Sequence, residues 1–533
     1  MVRQKSSRQR VMMNFSTANN ELTLREKIGQ LFMPAAFIND TEEEIQELEL
    51  LIRQHNIGGI CFFHSRASAA TNYEGKKTVI YNENSLAVLK ALINRYQKVS
   101  KYPLLIAIDA EWGLAMRIEK TAQYPYAITL GAIQEDLSLL YEVGKNIAKD
   151  CKNAGIHWNL SPVADINNNP NNPVIGYRSF GDNKAEVTSK SIAYVKGTQS
   201  EGVLTSVKHF PGHGDTATDS HLGLPVIHKS KEELLKNELY PFQELIHTGV
   251  DSVMVGHLSV PALANGKNTP SSISKDIIKG VLREEMQFKG VVISDALNMH
   301  AVSKNYPIPG DLEWLAFDAG NDVLCFAEHT ASGIAKILQK GTNKQINESF
   351  ERVWKLKEKA INELNDSNDT AAPNWEANNL NYAIAEKSIT LLTGSDTAIA
   401  EFRKKDFCTL TFKRFDKNDT EAEILNALKL LKKEVSKENE ILLLLTPPQV
   451  KPASNFGFLK EEINFINQVL EEKNVVLYHY GNPYALKFFK LNKSLATVVV
   501  YQDFNEFQEV ATAHFLGKLK AVGKLPFELN MNT

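Results

Sequence analysis

Between Lys208 and His221 the chain reads Lys-His-Phe-Pro-Gly-His-Gly-Asp-Thr-Ala-Thr-Asp-Ser-His. A cation, the imidazoles of His209, His213 and His221, and the carboxylates of Asp215 and Asp219 share this one run. So polar a segment belongs on a loop, where a rigid scaffold usually carries its chemistry. Asp219 and His221 stand two residues apart. A carboxylate at that spacing can orient an imidazole, fix its tautomer and stabilise its cation, which is what a general acid/base requires. The same residue types also admit a metal held by His209, His213 and Asp219, or a loop that satisfies only its own backbone.

These groups need an element to carry them. The apolar stretch 202–207 reads as a buried strand ending at Lys208. The cluster is therefore expected at a strand's C-terminal end, where α/β barrels and open α/β sheets both place their ligands. Strand patterns recur at 30–37, 57–63, 103–109, 157–162, 203–208, 251–257, 290–295 and 322–326. Helical patterns at 43–54, 85–98, 136–154, 231–247 and 275–286 lie between them. That count and spacing predict a (β/α)8 barrel over 23–364, opening at the capping-box sequence Thr23-Leu24-Arg25-Glu26. Residues 1–22, basic at Arg3, Lys5, Arg8 and Arg10, are expected to be a disordered tail, and 365–375 a polar linker. Strand patterns at 388–392, 408–412, 441–446, 474–480 and 497–501, with helices at 420–434 and 460–472, predict a smaller αβα sandwich over 376–533.

In such a barrel the strand ends converge on one pocket. They bring Asp109, with Glu111 and Arg117 beyond it; Asn159 to Asp165; Lys208; His257; and Asp295. Asp295 closes an apolar strand and could be no more than a helix N-cap, but its position and company favour function. His213 is expected to bond within its loop rather than to react, His257 either to line the pocket as a hydrogen-bonder or to touch the sugar, and Glu111 could simply pair with Arg117.

With those residues in view, the chain resembles the glycoside hydrolase family 3 enzymes, and within them the bacterial β-N-acetylglucosaminidases. Lys-His-Phe-Pro-Gly-His-Gly, four residues, then Asp-Ser-His runs without a gap from Lys208 to His221. Asn172 to Gly181 (Asn-Pro-Val-Ile-Gly-Tyr-Arg-Ser-Phe-Gly) and Ile293 to Met299 (Ile-Ser-Asp-Ala-Leu-Asn-Met) are similar to further family segments. The resemblance implies Asp295 as nucleophile, His221 as general acid/base with Asp219 as its partner, and Asp109, Arg117, Arg178, Lys208 and His209 as the residues that hold the sugar. It also implies a retaining exo-β-N-acetylglucosaminidase acting on peptidoglycan- or chitin-derived fragments, with a glycoside phosphorylase or a family 3 β-glucosidase as alternatives. At Asp109-Ala110-Glu111-Trp112-Gly113 the chain departs from the Asp-Gln-Glu-Gly-Gly common in such relatives, so Trp112 is expected to reshape the sugar site or its rim.

Composition limits the remaining classes. Over 533 residues, 60 basic against 63 acidic groups leave a net charge of −3, which offers nucleic acid or an acidic membrane no global attraction. The four cysteines are scattered without a Cys-x-x-Cys pair, which suggests neither a zinc site nor a disulfide framework. No cofactor or metal is expected. No stretch approaches the ~20 apolar residues of a membrane span, and the N-terminal segment lacks the apolar run of a signal peptide. The expected compartment is the cytoplasm, or an exported location if a leader has been removed.

Overall fold

The structure is a computed structural model and describes residues 12–64, 81–217, 223–366, 376–414 and 421–529. Its first body is built on short parallel strands, buried throughout save Ala35: β1 (Phe32–Met33), β2 (Ala35–Phe37), β3 (Gly59–Phe63), β4 (Leu105–Ile108), β5 (Trp158–Asn159), β6 (Leu204–Phe210), β7 (Ser252–Val255), β8 (Val291–Ser294) and β9 (Leu324–Cys325). β1 and β2 are two halves of one barrel strand, interrupted at Pro34, which has no N–H to give the ladder. Its first half pairs with β9 and its second with β3. From β2 to β8 each strand pairs in parallel with the next, and a bridge from Ile293 to Val323 joins β8 to the segment entering β9. Every strand thus has two neighbours, and the sheet closes as the eightfold barrel expected.

The helical expectations hold with two differences. The stretch 231–247 breaks into Lys231–Lys236 and Tyr240–His247, with Pro241 in the first turn of the second piece. Asp276–Glu285 is wound as a π-helix. The expected tail over 1–22 is corrected where the chain is described. Phe15–Glu21 is a helix capped by Asn14, because Met12, Met13, Phe15, Ala18 and Leu22 find apolar partners in Phe350 and Trp354 far along the chain. Trp354 Nε1 also donates to the Met13 carbonyl at 2.9 Å. Residues 1–11 lie outside the described residues, as do 367–375 of the expected linker; the helix Asn343–Asp366 runs up to them.

A second sheet follows, ordered β10 (Thr390–Thr393), β14 (Ala496–Val499), β13 (Asn474–His479), β12 (Glu440–Leu445), β11 (Cys408–Phe412), with only β10 antiparallel. Its side chains alternate between two cores, as the pleat requires. Leu442, Val476, Tyr478 and Val498 join Phe402, Phe507 and Val510. Ile441, Leu443, Val475 and Leu477 join Phe465, Ile466 and Val469, together with Ile128 and Tyr177 of the barrel. Polar ties fasten the two bodies: Asn167 Nδ2 donates to the Tyr484 hydroxyl at 2.7 Å, Gln502 Nε2 to Thr129 Oγ1 at 2.7 Å, and the Asp182 N–H to the Pro526 carbonyl at 3.1 Å. The second sheet therefore rests on the barrel loops that border the strand-end pocket.

Candidate active site

At the C-terminal ends of the strands lies a cavity of about 370 Å³ lined by Asp109, Arg117, Arg178, Lys208, His209 and Asp295, among others. Six of the eight residues expected to form a site are thereby brought together. Asp219 and His221 lie outside the described residues.

The wall opposite Asp295's strand is a chain of alternating charges. Asp109, just after β4, accepts from Arg117 Nη2 and from Lys208 Nζ, each at 2.8 Å. The same ammonium reaches Glu111 Oε1 at 2.8 Å. Glu111 in turn accepts two parallel bonds from Arg178, from Nε at 2.9 Å and Nη2 at 2.7 Å. Glu111 thus pairs with Arg178 and Lys208, while Arg117 goes to Asp109 and lies 5.1 Å over the Phe63 ring. Burial alone would raise the Asp109 carboxyl, but Lys208 and Arg117 outweigh it and hold the group at about 2. Arg178 and Lys208 overcome burial at Glu111 in the same way and keep it well below the usual carboxylate range. Both remain anionic at any pH at which the protein would work, so their cations stay aimed.

A second network lies behind the histidines. Asp165 is fully buried. It accepts the backbone N–H of His209 at 3.1 and 3.2 Å, the N–H of His213 at 2.8 Å, and the ring Nδ1–H of His209 at 2.7 Å. Since Arg178 can only donate, its contact with His209 Nε2 at 3.5 Å agrees with the tautomer that carries its hydrogen on Nδ1. His213 lines the cavity, but its Nδ1 is engaged by Thr216 Oγ1 at 2.8 Å within the loop. Burial, then His209, pushes it down to about 4, leaving it neutral. Gly214 follows because nothing larger fits: a Cβ there would sit 1.7 Å from the Ile166 carbonyl oxygen.

Asp295 leaves β8 with its N–H on the Val255 carbonyl at 3.0 Å, and its Oδ1 accepts the Ala296 N–H at 2.8 Å. His257 does not line the cavity, contrary to expectation. It is fully buried behind this turn, accepting or giving a bond to Ser272 Oγ at 2.7 Å and donating from Nε2 to the Ala296 carbonyl at 2.8 Å. Trp112 does line the cavity, packed edge-on against Tyr126 with ring centroids 4.9 Å apart and tilted against Tyr177 at 6.0 Å. Among the described residues no three His, Cys, Asp or Glu side chains are grouped to hold a metal ion, and no helix is long and apolar enough to cross a membrane.

Residues 23–356 match the Glycosyl hydrolase family 3 N terminal domain. The chain belongs to glycosyl hydrolase family 3. It is 34% identical over 344 residues to Beta-hexosaminidase A of Pseudoalteromonas piscicida, a match covering 59% of this chain and 55% of that protein. The chain thus spans little more than half that relative's length. It is 30% identical over 303 residues to a Beta-hexosaminidase of Tolumonas auensis, covering 56% of this chain and 83% of the other. A solved structure of a glycoside hydrolase family 3 beta-N-acetylglucosaminidase from Paenibacillus sp. str. FPU-7 superposes with a TM-score of 0.74 at 25% identity, over 96% of this chain and all of that one. The two-body layout is therefore shared along nearly the whole length of the family 3 hydrolase.

Asp165 and Glu111 are the residues that sequence reasoning undervalued. Both were visible at strand ends. What pointed to Asp165 was its place after the apolar stretch Leu160 to Ala164, in line with the strand ends that carry Asp109, Lys208 and Asp295.

Proposed function

We propose that this family 3 hydrolase is a retaining exo-β-N-acetylglucosaminidase acting on fragments derived from peptidoglycan or chitin. The observation that carries the reading is the placement of Asp295 at the end of β8, facing a cavity whose other wall is the chain Arg117, Asp109, Lys208, Glu111, Arg178. The terminal sugar's hydroxyls meet fixed donors and acceptors on that wall, and its anomeric carbon faces the carboxylate. An Asp295 oxygen attacks that carbon while the bond to the leaving oxygen breaks, and a covalent glycosyl-enzyme forms. His221, oriented by Asp219, gives the leaving oxygen its proton. It then takes a proton from the water whose oxygen attacks the same carbon and frees Asp295. Two displacements retain the anomeric configuration. A binding wall made of charge-assisted contacts discriminates among sugars in kcat/KM, since contacts that tighten in the transition state count there.

The test is chemical trapping. A 5-fluoro N-acetylglucosaminyl fluoride should leave a labelled peptide containing Asp295, located by mass spectrometry, and a label on any other residue overturns the assignment. In parallel, the 4-nitrophenyl β-glycosides of N-acetylglucosamine and glucose are compared, with and without inorganic phosphate. Equal kcat/KM for the two sugars, or release of a sugar 1-phosphate as the main product, would move the protein to the β-glucosidase or the phosphorylase reading.

A further inference from the structure

The cavity that holds Asp295 is lined almost wholly by the barrel; Lys451, from the second body, is the exception among the described residues. Lys451 lies on the loop that follows β12. That loop is anchored rather than loose: Asn482 Nδ2 donates to the Val450 carbonyl at 2.8 Å, and the Gln449 N–H reaches the Phe456 carbonyl at 2.9 Å. Beside it, Lys487 Nζ bonds Asn171 Oδ1 of the barrel at 2.8 Å, which ties this edge of the second body to the cavity's rim.

The charges in the cavity are otherwise spoken for. Arg117, Lys208 and Arg178 each rest against Asp109 or Glu111. Lys451 is exposed and makes no ion pair among the described residues. Its place sets what it can meet. Asp109 and Lys208 on one wall and Asp295 on the facing one stand at strand ends, and the terminal sugar must sit between them for Asp295 to reach its anomeric carbon. The group on the far side of the bond being broken has only the mouth to extend into, and Lys451 is exposed and lines the cavity from a loop, as Pro173 and Val174 do. A single ammonium on a flexible stem acts as a point charge with three donors and suits a monoanion.

We propose that Lys451 selects substrates whose leaving group carries a carboxylate. The proposal rests on the hydrolytic reading of this cavity and narrows it: of the fragments considered, those with an acidic residue next to the terminal sugar are preferred over neutral oligosaccharides.

The experiment uses the full chain and two aryl β-N-acetylglucosaminides, one the neutral 4-nitrophenyl glycoside and the other bearing a ring carboxylate. The quantity read is the ratio of kcat/KM on the carboxylate substrate to that on the neutral one, for wild type, Lys451→Arg, Lys451→Gln and Lys451→Glu. Because an exposed pair is modest and screened by salt, the ratio should fall about three- to fivefold in Lys451→Gln and further in Lys451→Glu. It should be kept in Lys451→Arg, and the differences should shrink in about 0.5 M salt. A ratio that stays constant across the four proteins overturns the proposal, as does a loss of equal size on both substrates. A wild type inert towards both glycosides would instead show the hydrolytic reading itself to be wrong. Addition of phosphate separates a third case: if Lys451→Glu suppresses a phosphate-dependent rate and leaves the ratio alone, the lysine receives an incoming anion, and the proposal falls.

Discussion

Glu111→Gln asks whether the alternating charges on the cavity wall are what hold its donors in place. Glu111 accepts three charge-assisted bonds, from Arg178 at 2.7 and 2.9 Å and from Lys208 at 2.8 Å. Glutamine keeps the length and one carbonyl oxygen, but with that oxygen in the Oε1 position its amide nitrogen turns a donor towards the Arg178 Nε donor. Asp109 still shares Lys208, whereas Arg178 loses its only carboxylate among the described residues. Removing one partner of a buried pair costs about 3–5 kcal/mol, since the remaining charge stays desolvated. At roughly 2 °C per kcal/mol for a body this large, the melting temperature should drop by about 6–10 °C. If Arg178 swings out by about 1 Å to find water, kcat/KM should fall on the order of a hundredfold. Calorimetry and hydrolysis of the 4-nitrophenyl glycoside read the two effects. The double variant Glu111→Gln with Arg178→Met should lose less than the sum of the single losses, because it leaves no orphan guanidinium. Additive losses, or a single variant that melts and turns over like wild type, would refute the idea that the charges position one another.

Asp165→Asn leaves three N–H groups of His209 and His213 facing an amide in place of a carboxylate; at about 1–3 kcal/mol, kcat/KM should fall by about 5- to 150-fold, and unchanged kinetics would show that His209 needs no such anchor. His257→Gln keeps a donor near the Ala296 carbonyl while His257→Phe does not, so the phenylalanine variant should lose clearly more kcat, with KM little altered; equal kcat in both would make His257 a packing residue only. Stability should also fall with acid. Burial holds His157, His213 and His479 down at about 4 in the folded chain, against an ordinary 6.5. Unfolding therefore takes up protons between those values, so this contribution is complete above about pH 6.5 and lost as pH falls towards 4. Urea midpoints at pH 7, 5.5 and 4.5 should decline in that order, and a flat series would contradict it.

How much of this was legible in the sequence depended on whether a residue's role is set locally. The strand ends were readable because a short β-branched run followed by a polar residue has few other places to go, and Asp109, Lys208 and Asp295 stand where their runs stop. Partnerships were not. Glu111 and Arg117 are six residues apart, which made them a natural pair on paper, yet Glu111 is taken by Arg178, 67 residues away, and by Lys208, through barrel closure. The tail failed for the same reason. Its basic residues are visible locally, while the burial of Met13 and Phe15 depends on Trp354, 341 residues beyond the Met13 carbonyl that it binds.

The wall's charge pattern also bears on why such a cavity is built from ions at all. A neutral sugar offers hydroxyls that both give and take hydrogen bonds, so its site needs donors and acceptors close together. Neutral side chains reorient when the sugar is absent, and each would have to be ordered again on binding. In the chain Arg117, Asp109, Lys208, Glu111, Arg178, every member is fixed by the next. The three cations exceed the two carboxylates by one charge, and Asp295 on the facing side makes the balance even. A near-balanced wall faces Asp295, and Lys451, which makes no ion pair among the described residues, is the place where the proposed charged leaving group would be felt.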